Sequence, residues 1–203
     1  MTVAAVSHRL VTPTLLEWSA YSAEVKCVLT AHAWSHDGKV VLVDPIPADA
    51  PATGALQQLG RPVLIIATNA NHDRAIPHWK TLLNIPVAAS AHAAKDLGIK
   101  PDVILESCPV IHGLHPIALE GGPAGEHALH SPEQKLLIVG DALVHLPETG
   151  LAPLPDKYCA DPAKLRASLA KLAALPFDTL AFAHGQALAS GARTRLRQAL
   201  GLS

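Results

Sequence analysis

Asp73, Asp141 and His184 are the residues of this 203-residue chain best placed to do chemistry, because each closely follows a short apolar run of strand length. Residues 62–67 (PVLIIA) lead into the loop Thr68-Asn69-Ala70-Asn71-His72-Asp73-Arg74. Residues 136–139 (LLIV) end in Gly140-Asp141, and residues 179–182 (TLAF) in Ala183-His184-Gly185. Strand ends hold side chains rigidly. Carboxylates and imidazole are donor types that a divalent ion takes, and a site with three protein donors leaves a position for water. An ion held this way supplies hydroxide at neutral pH, with Asp73 or Asp141 to take the proton. Arg74 offers a second solution. It is a permanent cation that cannot ligate a metal, and between the two carboxylates it would balance both and lower the pKa of Asp73 or Asp141.

Three strand ends carrying Asp, Asp and His in that order resemble the metallo-β-lactamase superfamily, whose first loop reads Thr-His-x-His-x-Asp-His. The resemblance extends over nearly the whole chain and takes in residues 41–45 (VLVDP), which look like the family's early buried strand and its acidic end. It implies an α/β (α+β) fold, a four-layer αββα sandwich, in which Thr68, Gly140 and Ala183 meet at one edge. It also implies a metal centre. Asn69 and Asn71 stand where that loop has its first two histidines, and Arg74 where it has its last. Counting back from Gly140 puts the histidine of a family turn near Gly122, inside residues 120–125 (EGGPAG), where it too is absent. An asparagine amide oxygen is a poor substitute for imidazole at zinc.

The losses fall unevenly. The first metal loses all three of its histidines, whereas Asp73, Asp141 and His184 keep three of the second metal's four ligands. The resemblance therefore implies at most one zinc or other divalent ion per chain, with Asp73 and Asp141 as the catalytic carboxylates. Two functions follow from it: a one-metal hydrolase with a degenerate site, or a non-catalytic protein that holds no metal and binds a small ligand in the same cleft. His72 sits at a variable position of the family loop and reads first as an exposed loop residue, second as a substitute ligand.

Composition narrows the alternatives. Apolar residues make up 49% of the chain, yet no apolar run reaches the ~18 residues a membrane helix needs. A net charge of −1, no basic block and 3% aromatic residues argue against a nucleic-acid surface. The expected partner is a small molecule. The length fits a single domain over residues 1–203. Residues 1–16 lack the pattern of a signal peptide, and Cys27, Cys108 and Cys159 are odd in number and widely spaced, so reduced thiols in the cytoplasm are expected. The twelve histidines are mostly scattered. Nucleophile elbows and phosphate loops are missing. Cys108 has His112 and His115 nearby, but thiol catalysis needs a histidine partner in space, and a structural cysteine is the expectation there.

The elements that must position these residues alternate along the chain. Residues 26–30 and 39–43 read as strands joined through His36-Asp37-Gly38, a hairpin signal. Residues 49–59 read as a helix closed by Gly60, residues 75–83 as a helix with Ile76, Trp79, Leu82 and Leu83 on one face, and residues 91–97 as a helix capped by Ser90. Residues 86–89 make a short strand between the last two. Beyond Pro101, runs at 102–106, 114–119, 126–130 and 135–139 read as antiparallel strands, and residues 147–155 as a loop. Asp161-Pro162 opens a helix, and a last helix spans about 187–200.

Overall fold

A computed structural model describes residues 7–202. The first half of the chain builds one sheet from β1 (Ser7–Thr12), β2 (Leu15–Ser22), β3 (Cys27–His36), β4 (Lys39–Val43), then, after helix α1 (Ala50–Leu59), β5 (Arg61–Ile66). After α2 (Ile76–Leu83) come β6 (Val87–Ala89) and β7 (Val103–Ile104), and the seven strands lie in sequence order. Pairing is antiparallel from β1 to β4 and parallel from β4 to β7. The second half supplies β8 (His115–Ala118), β9 (His127–Ser131), β10 (Leu136–Val139), a small hairpin of β11 (Leu143–Leu146) and β12 (Gly150–Pro153), then α3 (Pro162–Ala174), β13 (Thr179–Phe182) and α4 (Ala192–Ala199). Its main sheet runs β13-β10-β9-β8, with β10 and β13 parallel.

Strand alternation sorts the side chains into three apolar layers. On β4, Val40 and Leu42 pack with Leu56, Ile76 and Trp79 of the outer helices, while Val41 and Val43 face the second sheet. On β10, Leu136 and Ile138 meet them across the interface, while Leu137 and Val139 pack against Leu165, Leu169 and Leu196 of α3 and α4. The order is therefore helices, sheet, sheet, helices, the αββα sandwich expected. Each buried Val, Leu or Ile contributes ~1.5–3 kcal/mol.

Several expectations need adjusting. Leu82 is 62% exposed, off the buried face of Ile76 and Trp79. Residues 91–97 give only a 3-10 turn at Ala93–Lys95, although Ser90 Oγ does accept from Ala93 N. β7 joins the first sheet beside β6, in parallel, and β8 to β10 alone form the antiparallel run. The stretch read as a loop holds β12, paired with β11 at an edge where Pro153 needs no ladder donor. Residues 187–190 are not helical: Leu188 bridges to Leu180, and α4 starts only after Gly191, whose φ of 64° breaks the run.

Candidate functional site

Parallel pairing sends the C-terminal ends of β4 and β5, and of β10 and β13, to one edge of the sandwich. Two cross-sheet bonds close it there, His127 N to Thr68 O (2.8 Å) and Thr30 N to Ala183 O (2.9 Å). Gly140 lets the sheets meet this closely. A Cβ there would lie 2.5 Å from Thr68 Oγ1 and 2.7 Å from Glu126 Oε1. Thr68, Gly140 and Ala183 thus share one edge, and the three loops that follow them frame the site.

The loop after β5 is tied down residue by residue. Asp44 at the end of β4 is buried and accepts from Thr68 N (2.8 Å) and Thr68 Oγ1 (2.6 Å). Asn69 Oδ1 accepts from Asn71 N (2.8 Å), and Asp73 Oδ1 from Arg74 N (2.7 Å), with Arg74 at φ 31°. These turns aim alternate residues in opposite senses. His72 is buried, Asp73 and Asn71 are exposed, and Arg74 reaches inward.

The central residue is therefore His72, 2% exposed, and not the surface histidine first expected. Its Nδ1 lies 2.9 Å from Asp44 Oδ2, and its Nε2 lies 3.0 Å from Asp141 Oδ1. Burial and the neighbouring Arg74 oppose a charge on the ring, but the two carboxylates outweigh them and raise its pKa to about 9. That favours the imidazolium, which has a carboxylate oxygen within reach of each ring nitrogen. Despite desolvation, His72 holds Asp44 below the usual carboxylate range and, with His184, holds Asp141 well below it.

Arg74 turns inward, but its partners differ from the Asp73 or Asp141 carboxylates expected. The guanidinium donates to the carbonyls of Thr30 (3.0 Å), Asp44 (3.2 Å) and Ala183 (3.4 Å), and Nη2 lies 3.1 Å from His72 Nε2. Burial lowers its pKa while Asp44 and Asp141 act to raise it. Charge compensation of Asp141 falls mainly to His72, a role the sequence reading gave to Arg74 alone.

The carboxylate of Asp73 is satisfied by its own turn. The trio whose ligand atoms lie within 4.8 Å of one another is His72, Asp141 and His184. Asp73 stays at the rim of the cleft, because the alternation that buries residues 72 and 74 turns it outward. His184 Nε2 is 3.1 Å from Asp141 Oδ1, and its Nδ1 faces Val28 O at 3.1 Å and Cys27 Sγ at 3.4 Å.

Glu126 was missed from the sequence, where it reads as the start of an ordinary strand. It is 1% exposed; Oε2 accepts from Asn69 Nδ2 (2.7 Å) and Oε1 from Ala142 N (3.0 Å). Burial, reinforced by the charge of Asp141, pushes its pKa up to about 8, which favours the neutral acid. Only its position just beyond Gly125, where the chain turns toward β9, hinted at a site.

Above this floor opens a cavity of about 1040 Å³. One wall is the loop between β2 and β3, carrying Val25 and Lys26; the opposite wall is the β11–β12 hairpin with Tyr158. Val25 and Tyr158 are 57% and 60% exposed. Cys27, His72, Arg74, Asp141 and His184 supply the polar floor. Among the described residues, no helix is long and apolar enough to cross a membrane.

The sequence profile described as the metallo-beta-lactamase superfamily matches residues 7–200. No curated protein matches the chain. Among solved structures, a metallo-beta-lactamase from Pontibacter korlensis superposes with a TM-score of 0.73 at 18% identity, over 98% of this chain and 100% of that one. The metallo-beta-lactamase FIM-1 from Pseudomonas aeruginosa, solved in a mono-zinc form, gives 0.74 at 16% identity, over 99% and 97%. VMB-1 gives 0.77 at 15%, over 100% and 97%. At these identities the likeness is one of fold.

Proposed function

The chain belongs to the metallo-β-lactamase superfamily, and from that premise we propose that it binds a small molecule in the cleft without a resident zinc centre. The observation that carries this is the guanidinium of Arg74, which lies over the cleft floor and donates to the carbonyls of Thr30, Asp44 and Ala183. Two buried carboxylates, Asp44 and Asp141, already have two cations, His72 and Arg74. The floor is neutral as it stands.

The donor set does not fit zinc. Asn69 is engaged with Glu126 and the backbone N–H of Asn71, so its amide is already in use, and Asn71 is exposed. At the second, His72 would have to give up its contacts with both Asp44 and Asp141, whose carboxylates favour its protonated form. A dication there would also sit beside a fixed guanidinium; for charges of +2 and +1 at ~4 Å the repulsion is roughly 8 kcal/mol at an effective dielectric of ~20.

The cavity favours a ligand with an apolar body, seated between Val25, Leu29, Ile46, Leu146 and Tyr158. Because the floor's charges cancel, it exerts little net pull on an ionic head. An uncharged polar head, such as an ester or amide, suits it. One observation favours a second reading, a one-metal hydrolase: His184 turns Nδ1 toward Val28 O, an orientation common for metal-binding histidines, and points Nε2 at Asp141.

Elemental analysis of protein purified without chelator, with zinc titration by calorimetry, separates the two. The zinc-free reading expects well under one equivalent and no tight binding. One equivalent held tightly would sink it.

A further inference from the structure

We propose that Thr30 is a positioning residue of the cleft, whose backbone and hydroxyl together set His184 and Arg74 relative to one another. Thr30 is fully buried and lies behind the residues that line the cavity. The strand explains its reach. β4 pairs with β3 only as far as Val43 opposite His32, so at Thr30 the side of β3 beyond β4 is open. The N–H and carbonyl of Thr30 turn that way, and both find partners at the cleft.

Thr30 N donates to Ala183 O at 2.9 Å, and Thr30 Oγ1 donates to Gly185 O at 3.0 Å. These are the carbonyls on either side of His184. The carbonyl of His184 itself points the other way and accepts from His145 N of β11 at 3.0 Å. Residues 183–185 are thus held like a short strand between β3 and β11, with the Thr30 hydroxyl standing in for a backbone donor. Only glycine suits position 185, where φ is 100° and a Cβ would collide with His145 O.

Arg74 is tied to the same residue. Its Nη1 donates to Thr30 O at 3.0 Å, and its Nη2 to Ala183 O at 3.4 Å, the carbonyl that Thr30 N also holds. One buried threonine therefore fixes the guanidinium directly and the imidazole through the carbonyls beside it. The inference concerns how these groups are held and not what the cleft binds, so it goes beyond the zinc-free reading and stands or falls apart from it.

The hydroxyl is the part that a substitution removes cleanly. Thr30→Val keeps the β-branched shape suited to a strand but leaves the buried Gly185 carbonyl without that donor. Thr30→Ser keeps the hydroxyl and loses only the methyl. The test is nuclear magnetic resonance of the histidine ring nitrogens, with amide hydrogen exchange measured on the same proteins. We expect Thr30→Val to shift the His184 ring signals and to speed exchange of the amides at positions 30 and 145 by ~10-fold or more. The rings of His127 and His130, held by the carbonyls of Gly125 and Pro176, should not move. Thr30→Ser should restore the His184 signals and bring both exchange rates to within ~3-fold of wild type. A Thr30 that only fills space gives the reverse pattern, with Thr30→Val silent and Thr30→Ser disturbed, and that overturns the proposal. So does a shift of every histidine together in Thr30→Val, which is general loosening. The unmodified protein supplies a check that needs no variant to fold. Lifting residues 183–185 frees both amides, so those of Thr30 and His145 should exchange within ~10-fold of each other. A gap of ~10³ would break the coupling between them.

Discussion

Asn69 and Glu126 on one side of the cleft floor, and Asp44, His72, Asp141 and Arg74 on the other, are enclosed by the same strand ends yet hold their polar groups in opposite states. Glu126 has an amide and a backbone N–H as partners but no cation, and its pKa climbs to about 8. Asp141, whose neighbour Ala142 donates to Glu126, has His72 and His184 against it and is held well below the usual range. Both carboxyl groups are buried, so desolvation alone does not distinguish them. A cation within bonding distance does. The half that faces the first-metal positions is therefore neutral by protonation, and the half that faces the second is neutral by ion pairing.

The ion-paired half is the one to break first. Arg74→Ala leaves two buried carboxylates with one cation and three carbonyls without a donor. We expect a loss of ~3–5 kcal/mol, a fall in Tm of roughly 10 °C at this chain length. If the guanidinium is also what excludes zinc, the variant should recover part of that loss on adding zinc, while the wild type gains nothing. A variant within 1 °C of wild type by calorimetry would show that Arg74 compensates no buried charge.

Raising the pH sharpens the contrast from the other side. Glu126 goes from 4.5 unfolded to about 8 folded, and His72 from 6.5 to about 9. Both are raised, so the folded state binds the extra protons and stability falls as pH rises through those windows. Asp44 and Asp141 are lowered and act oppositely, losing stability only as pH drops through the acid range below 3.8. We expect greatest stability in mildly acid solution and a decline of a few kcal/mol between pH 6 and 9, at ~1.4 kcal/mol per unit for each titrating group. Glu126→Gln should flatten the part below about pH 8 and leave the His72 part. A flat denaturation midpoint from pH 6 to 9 in the wild type would contradict both assignments. Asn69→Ala is smaller again, ~1–3 kcal/mol, because it removes one donor to a neutral acid and one turn acceptor. A loss as large as that of Arg74→Ala, measured in the same urea titration, would erase the difference between the two halves.

How much of this was legible beforehand divides along the same line. Asp141 and His184 announce themselves because each ends a strand whose apolar run is unmistakable, and the three-layer core follows from alternation on β4 and β10. The hairpin of β2 and β3 was only half seen, and β1 not at all, since its partly exposed edge residues carry little period. His72 was misjudged because loop residues have no period to read. Which of residues 72 and 73 points inward depends on the turn set by Asn69 and on a positive φ at Arg74, and neither follows from hydropathy. Glu126 was silent for a related reason: its partner Asn69 lies 57 positions away, and one sequence carries no record of such pairs.

Asp73 gives the smallest expected effect. By position in the loop it was the first metal ligand of the chain, and a ligand's removal abolishes binding. In the fold its carboxylate is exposed and accepts from the adjacent Arg74 N at 2.7 Å. An exposed side-chain bond of this kind, competing with water, contributes ~0.5–1 kcal/mol. Asp73→Ala should therefore cost at most ~1 kcal/mol in urea denaturation. His72→Ala in parallel should cost several kcal/mol, because it strands Asp44 and Asp141 without their common cation. If Asp73→Ala were the more damaging of the two, the loop would have to be turned by one residue, with Asp73 inward. The ion-paired half of the floor would then be wrong from its first residue.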